Sequence, residues 1–326
     1  MAEYIVTGAG GVLGFAIVKE LLGRGITPRC LIRSEKTKPL LEELGAKVYT
    51  GDITKKKSLN EIFDVDGEIK VIHAASFMSV RRKITDKLYR VNTLGTKNIV
   101  EICREKNAGL VYISAIESAV GQDGVMVHPY YDSDRVRGGY AKTKARASRL
   151  VIKAASEGLD ACILLPCTVM GPDDYRKGFV TSAFIRCLRH RYAPFIRGAC
   201  EITDSRDVAK AAVEALSVGR KGESYILSNE YCDISDFVNM MRKEAGLKKI
   251  KWYIPVWAMR AAAAVYEPFM RLKKKEPVFT RYTIARLNEK PVHSSELAVK
   301  DLGYAPRPAA ETAHAMVEFY KRMKWI

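Results

Sequence analysis

Apolar positions in the first half of the chain fall into short runs separated by stretches with helical spacing. Residues 3–7, Glu-Tyr-Ile-Val-Thr, predict a short buried strand that leads straight into Gly8-Ala-Gly-Gly-Val-Leu-Gly14. From about 13 to 24 the spacing turns helical, because Leu13, Ile17, Leu21 and Leu22 share one side. The same reading predicts strands over 29–32, 47–49, 70–73, 110–113 and 161–165. Between them it places helices around 39–44, from about 87 to 105 and over 140–156, with an irregular segment over 117–139. Strands alternating with helices in this way imply an α/β fold whose parallel sheet is covered on both faces.

Beyond Pro166 the pattern loosens. Helices are expected at 178–190, 207–217, 234–245, 256–272 and 309–323, with short strands near 200 and over 225–227. The chain therefore divides into a dinucleotide-sized unit over 1–175 and a smaller, mostly helical lobe over 176–326, some of whose elements return to the main sheet. Within the lobe, residues 256–270 carry Trp257, Met259, alanines at 261–264, Val265, Tyr266 and Phe269, followed by a basic end. A packed helix lining an apolar pocket is the favoured reading; an interfacial amphipathic helix and an oligomer contact are the alternatives.

Charge changes this picture modestly. Across 326 residues, 54 Lys and Arg face 37 Asp and Glu, a formal net charge of +17. That excess favours an anionic partner without choosing among nucleotide phosphates, coenzyme A and acidic lipid. Its short basic runs, at 81–83, 186–191 and 271–275, read mainly as solvated surface, and a peripheral membrane contact is not favoured. No zinc-finger spacing, RNP motif or basic tail points to nucleic acid. The seven cysteines form no C-x-x-C pair, so free thiols in a reducing cytoplasm are expected. A metal site would need ligands from distant segments, and none is expected. The first strand begins almost at Met1, so no targeting segment is expected. No apolar run approaches the roughly 20 residues that span a bilayer.

The glycines carry the first chemical signal. A strand ending in Thr7-Gly8 and entering a helix through Gly8, Gly11 and Gly14 brings backbone amides and a positive helix terminus to a diphosphate. Glycine at these points lets the phosphates approach and the turn close. With the βα units that follow, this predicts a Rossmann-type domain holding a nicotinamide dinucleotide. At the end of the second strand, where an acidic residue would suit the NAD ribose, the chain has Arg33, with Lys36 and Lys38 after it. NADP(H) is therefore expected, with NAD(H) the less favoured choice. Asp52 is placed to accept from the adenine amino group with Ile53 against the ring, although a turn residue has the same chemistry.

These segments resemble an extended short-chain dehydrogenase/reductase, the NAD-dependent epimerase/dehydratase superfamily. The likeness rests on Thr7-Gly-Ala-Gly-Gly-Val-Leu-Gly14, Gly51-Asp-Ile53, His73-Ala-Ala-Ser76, Tyr89-Arg-Val-Asn-Thr-Leu-Gly95, Tyr140-Ala-Lys-Thr-Lys144 and Pro166-Cys-Thr-Val-Met-Gly-Pro172. It continues through Ile202-Thr-Asp-Ser-Arg-Asp-Val-Ala209 and Leu302-Gly-Tyr-Ala-Pro-Arg307. The resemblance implies cofactor contacts from Thr7, Gly8, Gly10, Gly11, Val12, Leu13 and Gly14. It implies further contacts from Arg33, Lys38, Asp52, Ile53, Ala74, Ala75, Ser76, Lys144, Pro166, Thr168 and Val169. Val111-Tyr-Ile-Ser-Ala-Ile-Glu117 and Pro277-Val-Phe-Thr-Arg-Tyr282 look most like the branch of 3-beta-hydroxysteroid and sterol dehydrogenases. A homodimer is a further expectation of the family.

Tyr140 and Lys144 lie four residues apart at the start of a helix, so their side chains share a face. An ammonium beside a phenol lowers its pKa and readies it to exchange a proton with a substrate oxygen. Asn92 matches a family position tied to site geometry and a proton-relay water, though a helix-stabilising amide contact explains it equally well. The chain departs from the family after the fifth strand, where the polarising hydroxyl aligns with Ala115 rather than Ser114. Ser114, Ser118, Thr168 or a water must then replace the donor, or catalysis is impaired.

The activity expected is hydride transfer between the nicotinamide and a carbonyl or secondary alcohol of an apolar, steroid-like or isoprenoid molecule. That molecule carries an anionic group if Arg81, Arg82 and Lys83 border the mouth beside Phe77 and Met78. Trp252, Tyr253, Trp257 and Phe269 are further pocket candidates. Alternatives are a cinnamoyl-CoA or dihydroflavonol-type reductase, a sugar-nucleotide epimerase or dehydratase, and a catalytically weak dinucleotide-binding regulatory protein.

Overall fold

Each strand of the main sheet sends alternate apolar side chains to opposite faces, and both faces are covered. In the computed structural model the described residues are 2–121, 125–126, 128–189, 195–196, 198–250, 253–273, 280–281, 284 and 292–326. Strands β1 (Glu3–Thr7), β2 (Arg29–Ile32), β3 (Lys47–Thr50), β4 (Ile69–His73), β5 (Gly109–Ile113) and β6 (Ala161–Pro166) appear where the pattern placed them. Strand β7 (Thr168–Met170) follows β6, and the lobe adds β8 (Ala199–Asp204), β9 (Ser224–Leu227) and β10 (Tyr231–Asp233). All seven strands of the main sheet run parallel, in the order β9-β6-β5-β4-β1-β2-β3. The lobe thus returns β9 to the main sheet, while β7, β8 and β10 form a separate three-stranded sheet.

On one face, Ile5, Val71, Leu110, Tyr112 and Ile163 pack against α3 (Gly95–Glu105) and α4 (Gly139–Ser156) through Ile99, Cys103 and Val151. On the other, Val6, Ile72, Val111 and Leu164 meet α1 (Val12–Gly23) and α6 (Ser205–Val218) through Ile17, Leu21, Val208 and Ala212. Helix α2 (Lys38–Glu43) connects β2 to β3, and α5 (Phe179–Arg189) follows β7. A lobe core joins α5, α7 (Ile234–Glu244) and α10 (Ala309–Arg322) through Phe184, Phe237, Met241, Met316 and Phe319. Helices α8 (Val256–Leu272) and α9 (Glu296–Leu302) complete the order.

Two features fix the site. The chain crosses from β3 at one edge to β4 on the far side of β1, so the strand order reverses between β1 and β4. Ligands of open α/β sheets bind in the crevice at such a reversal, beyond the carboxyl ends of the strands. The two late sequence motifs also meet: the Arg307 guanidinium gives two hydrogen bonds to Asp207 Oδ1, at 2.9 and 2.7 Å, and its backbone amide reaches Oδ2 at 2.9 Å.

The helix expected over 87–105 is present from Asp86 to Glu105, with a change of pitch inside it. A short turn, Asp86–Leu88, passes into a π-helical stretch, Tyr89–Leu94, before α3 begins.

Candidate active site

At the reversal point the β1–α1 turn closes so tightly that side chains are excluded. Gly8 has φ +75°, and a Cβ there would come within 2.7 Å of the Ala75 backbone. At Gly14 a Cβ would collide with the Gly8 carbonyl. The turn is pinned by Gly11 N donating to Gly8 O at 3.0 Å, and Gly11 then caps α1. A diphosphate fits this cradle, since backbone and a helix N-terminus face it with no Cβ between.

The cradle opens into a cavity of about 720 Å³. Of the expected cofactor residues, Gly8, Gly10, Gly11, Val12, Leu13, Gly14, Arg33, Asp52, Ile53, Ala74, Ala75, Ser76, Lys144, Pro166, Thr168 and Val169 line it. Tyr140 and Ser114 line it too, as do Phe77, Met78, Glu117, Met170, Arg176 and Val180. Three expected residues stand behind the wall. Thr7 Oγ1 lies 2.6 Å from His73 Nδ1 and accepts from Ala75 N at 3.3 Å, fixing the ends of β1 and β4 together. Lys38 is drawn along its own helix, 4.0 Å from the Glu42 carboxylate. Asn92 is buried and clamps Phe77, accepting from its amide at 2.7 Å and donating to its carbonyl at 2.9 Å. Asn92 also donates to Thr143 Oγ1 at 3.1 Å, so the π-helical stretch joins the loop after β4 to the residue beside Lys144.

Lys144 is 2% exposed, and its ammonium donates to Ile113 O at 2.6 Å and sits 4.5 Å above the Tyr112 ring. Burial pulls its pKa down to about 7, against the opposing charge of Glu117. Tyr140 behaves differently from the sequence reading. Burial first, then the charge of Glu117, push its phenol well above the usual tyrosine value, and a hydrogen bond with Ser76 opposes this. At neutral pH the phenol is therefore the protonated, donating form. His73, buried below the site, is held neutral with its pKa lowered to about 3, by burial and then by the charge of Lys144.

The substitute donors fare unequally. Ser114 Oγ is engaged 2.8 Å from Ser148 Oγ on α4 and 3.0 Å from Ser118 Oγ. Ser118 is wholly buried, donates to Ala115 O at 2.7 Å and does not reach the cavity. Thr168 remains on the wall, and Ser76 joins it as a hydroxyl already bonded to the phenol.

Sequence reasoning also missed Glu117 as a wall residue, although it stands two positions after the anomalous Ala115. It missed a buried network as well: the Cys167 thiol donates to Glu201 Oε2 at 3.0 Å, and His293 Nδ1 lies 2.5 Å from the same oxygen. These three ligand-type side chains, which spacing did not foresee, come from segments far apart in the chain and satisfy one another. Burial, then Glu201, raise the Cys167 thiol well above its ordinary value.

Other expectations miss the cavity. Arg81, Arg82 and Lys83 lie off its wall, and Arg81 O accepts from Gly139 N at 3.0 Å; besides Arg33 and Lys144, the cations on the wall are Lys36, Lys87 and Arg176. Trp257 is 74% and Phe269 50% exposed and no residue of α8 lines this cavity, so the pocket-lining reading of 256–270 is corrected, although Met259 and Ala263 on its other side are packed. Trp252, residues 277–279 and Tyr282 lie outside the described residues, and Tyr253 is described only in its backbone.

A profile of the NAD dependent epimerase/dehydratase family matches residues 4–228. The chain belongs to that family. As a member it is an NAD(P)-dependent oxidoreductase by class. It is 28% identical over 324 residues to sterol demethylase protein B of Methylococcus capsulatus, covering 98% of each chain. It is 29% identical to a 4-hydroxy-2-methyl-3-oxo-4-farnesyl-3,4-dihydroquinoline-1-oxide ketoreductase of Stigmatella aurantiaca, over 93% of this chain and 91% of that one. Among solved structures it is similar to gox2253, with TM-score 0.83, 26% identity and 99% coverage of both chains. MoeE5 with UDP-glucose and NAD shares the fold at TM-score 0.72 and 21% identity, with 99% coverage of both. The expectation of NADP(H) is corrected here, because the similar solved structures captured with a dinucleotide hold NAD. The geometry gives a physical reason. Lys38 stands off the wall, 4.0 Å from Glu42, and the Asp52 carboxylate shares the wall with Arg33. Burial would raise Asp52, but hydrogen bonds from Thr54 and the charges of Arg33 and Lys55 hold it below the ordinary carboxylate range. That range leaves Asp52 an anionic acceptor on the wall.

Proposed function

We propose that this family member is an NADH-dependent reductase of an apolar ketone, steroid-like or isoprenoid in character. The observation that carries this reading is that Tyr140, Lys144 and Ser76 face the same cavity as the glycine cradle, with the phenol protonated and bonded to Ser76. When bound, the dinucleotide supplies the hydride. Tyr140 then delivers its proton to the substrate oxygen, so a carbonyl becomes an alcohol and the phenol is left as phenolate. Lys144, whose pKa of about 7 makes it a ready proton source, stabilises that phenolate and holds the ribose hydroxyls. Ser76 supplies the second hydrogen bond to the oxygen that Ala115 cannot give. Asn92 acts through Phe77 and Thr143 as a positioning residue.

Phe77, Met78, Val91, Met170 and Val180 give the substrate side an apolar wall. The names of the sterol and farnesyl-quinoline relatives support the same substrate class. A second reading, a nucleotide-sugar substrate, draws support from Lys87 and Arg176 on the wall.

The test follows NADH absorbance with a steroid ketone, a farnesyl ketone, cinnamaldehyde and UDP-glucose. Consumption with an apolar ketone and none with UDP-glucose is the expected result. Conversion of UDP-glucose alone, without net NADH loss, overturns the proposal in favour of the second reading.

A further inference from the structure

Helix α8 carries an apolar face that the described chain covers on one side only. Met259 and Ala263 are buried in a small cluster with Ile284, flanked by Ile254 and Val256. On the opposite side Trp257 is 74%, Val265 74%, Phe269 50% and Leu272 83% exposed. Alanines 261 and 264 and Pro268, also exposed, fill the stripe between them at three- and four-residue spacing. Cations stand at its margins. Arg260 and Lys273 are exposed, Lys273 lies 4.4 Å over the Phe269 ring, and the sequence continues with Lys274 and Lys275.

We propose that α8 lies flat in the surface of a bilayer containing anionic lipid, its Trp257–Leu272 stripe among the acyl chains and its flanking cations at the headgroups. Charge selects this occupant over a second copy. With a net charge of +17, two copies meeting through this basic-edged face would repel, whereas an anionic surface complements it. No described helix is long and apolar enough to cross a membrane, so the helix rests in the interface rather than spanning it.

The position of α8 gives the docking a use. Beyond it, Thr280 Oγ1 donates to Val80 O at 3.5 Å, in the loop that brings Phe77 and Met78 to the cavity wall. The chain after α8 thus meets the loop that carries Phe77 and Met78, and a bilayer held by α8 is a source of apolar ketone for the cavity. This delivery role rests on the proposed function; the docking itself does not.

The experiment sediments the full-length protein with vesicles of phosphatidylcholine alone and of phosphatidylcholine with phosphatidylglycerol, at low and high salt. Co-sedimentation with the anionic vesicles, weakened by salt, is the expected result. Val265→Glu and Leu272→Glu should each reduce it by about tenfold or more with unchanged melting and NADH binding. Arg260→Gln with Lys273→Gln should remove chiefly the part that depends on phosphatidylglycerol. The proposal is overturned if the wild type stays in solution with anionic vesicles at low salt, or if the glutamate variants bind like the wild type. It is equally overturned if those variants abolish a concentration-dependent dimer while vesicles are ignored. None of these readouts uses turnover, so their failure is separate from a failure of the ketone assay.

Discussion

Tyr112 at the centre of β5 and Trp257 on α8 are both large aromatics in elements that periodicity predicted. The first is fully buried and the second is 74% exposed. Strand β5 lies between two helical layers, so Leu110 and Tyr112 are covered on one face while Val111 and Ile113 are covered on the other. Among the described residues, helix α8 has a partner on one side only. Apolar spacing thus reports which residues would gain from burial, and the surroundings decide whether the chain itself provides the cover.

The largest expected effect tests the close packing of the first region. Gly8→Val places a branched side chain at φ +75° against the Ala75 backbone, and should cost about 3 kcal/mol or more and abolish NADH binding. A normal melt with intact NADH titration would show that the turn is looser than described.

Next comes pH, because burial sets the protonation of this region. The Cys30, Cys162 and Cys200 thiols are pushed up to about 12 and those of Cys187 and Cys232 to about 11, from an ordinary 9.0. Above pH 9 the unfolded chain releases these protons while the folded chain retains them, so stability falls as pH rises. Lys144 acts in the opposite sense, since between about 7 and its ordinary 10.5 the unfolded chain holds the extra proton and stability gains with pH. Melts should therefore strengthen slightly from pH 7 to 9 and weaken steeply beyond. The gain below pH 9 should vanish in Lys144→Met. A flat profile would mean that the thiols are less enclosed than the packing implies.

A smaller effect belongs to the cavity wall. Ser76→Ala should lower kcat by about tenfold to a hundredfold with little change in NADH affinity, whereas Ser114→Ala should leave kcat nearly unchanged. The reverse pattern would return the donor role to Ser114. The smallest effect lies in the contrasting region: Leu272→Glu should shift stability by no more than about 0.5 kcal/mol. A large loss in the melt would show that the α8 face is covered after all.

The sheet and the cradle were legible because their signals are local. Continuous apolar runs and glycines at 8, 11 and 14 act on neighbours in the chain, and the four-residue step from Tyr140 to Lys144 puts both on one helical face. What was missed depends on distant segments. Glu117, the bond between Ser76 and the Tyr140 phenol, and the Cys167–Glu201–His293 network gain meaning only when separate elements converge. Cofactor choice failed for a related reason: Arg33 and Lys38 read as a pair of cations beside the ribose, but Lys38 lies off the wall near Glu42 while Asp52 stands on it as an anion. The downward shift expected for the Tyr140 phenol likewise failed, because burial and then Glu117 push it up against only the Ser76 hydrogen bond.

The most direct test compares Tyr140→Phe with the wild type in single-turnover reduction of an apolar ketone, alongside NADH titration. The account predicts a fall of about 10²- to 10⁴-fold in the rate of reduction with NADH affinity preserved. Unaltered reduction by the variant would contradict it, since the proton would then come from another group.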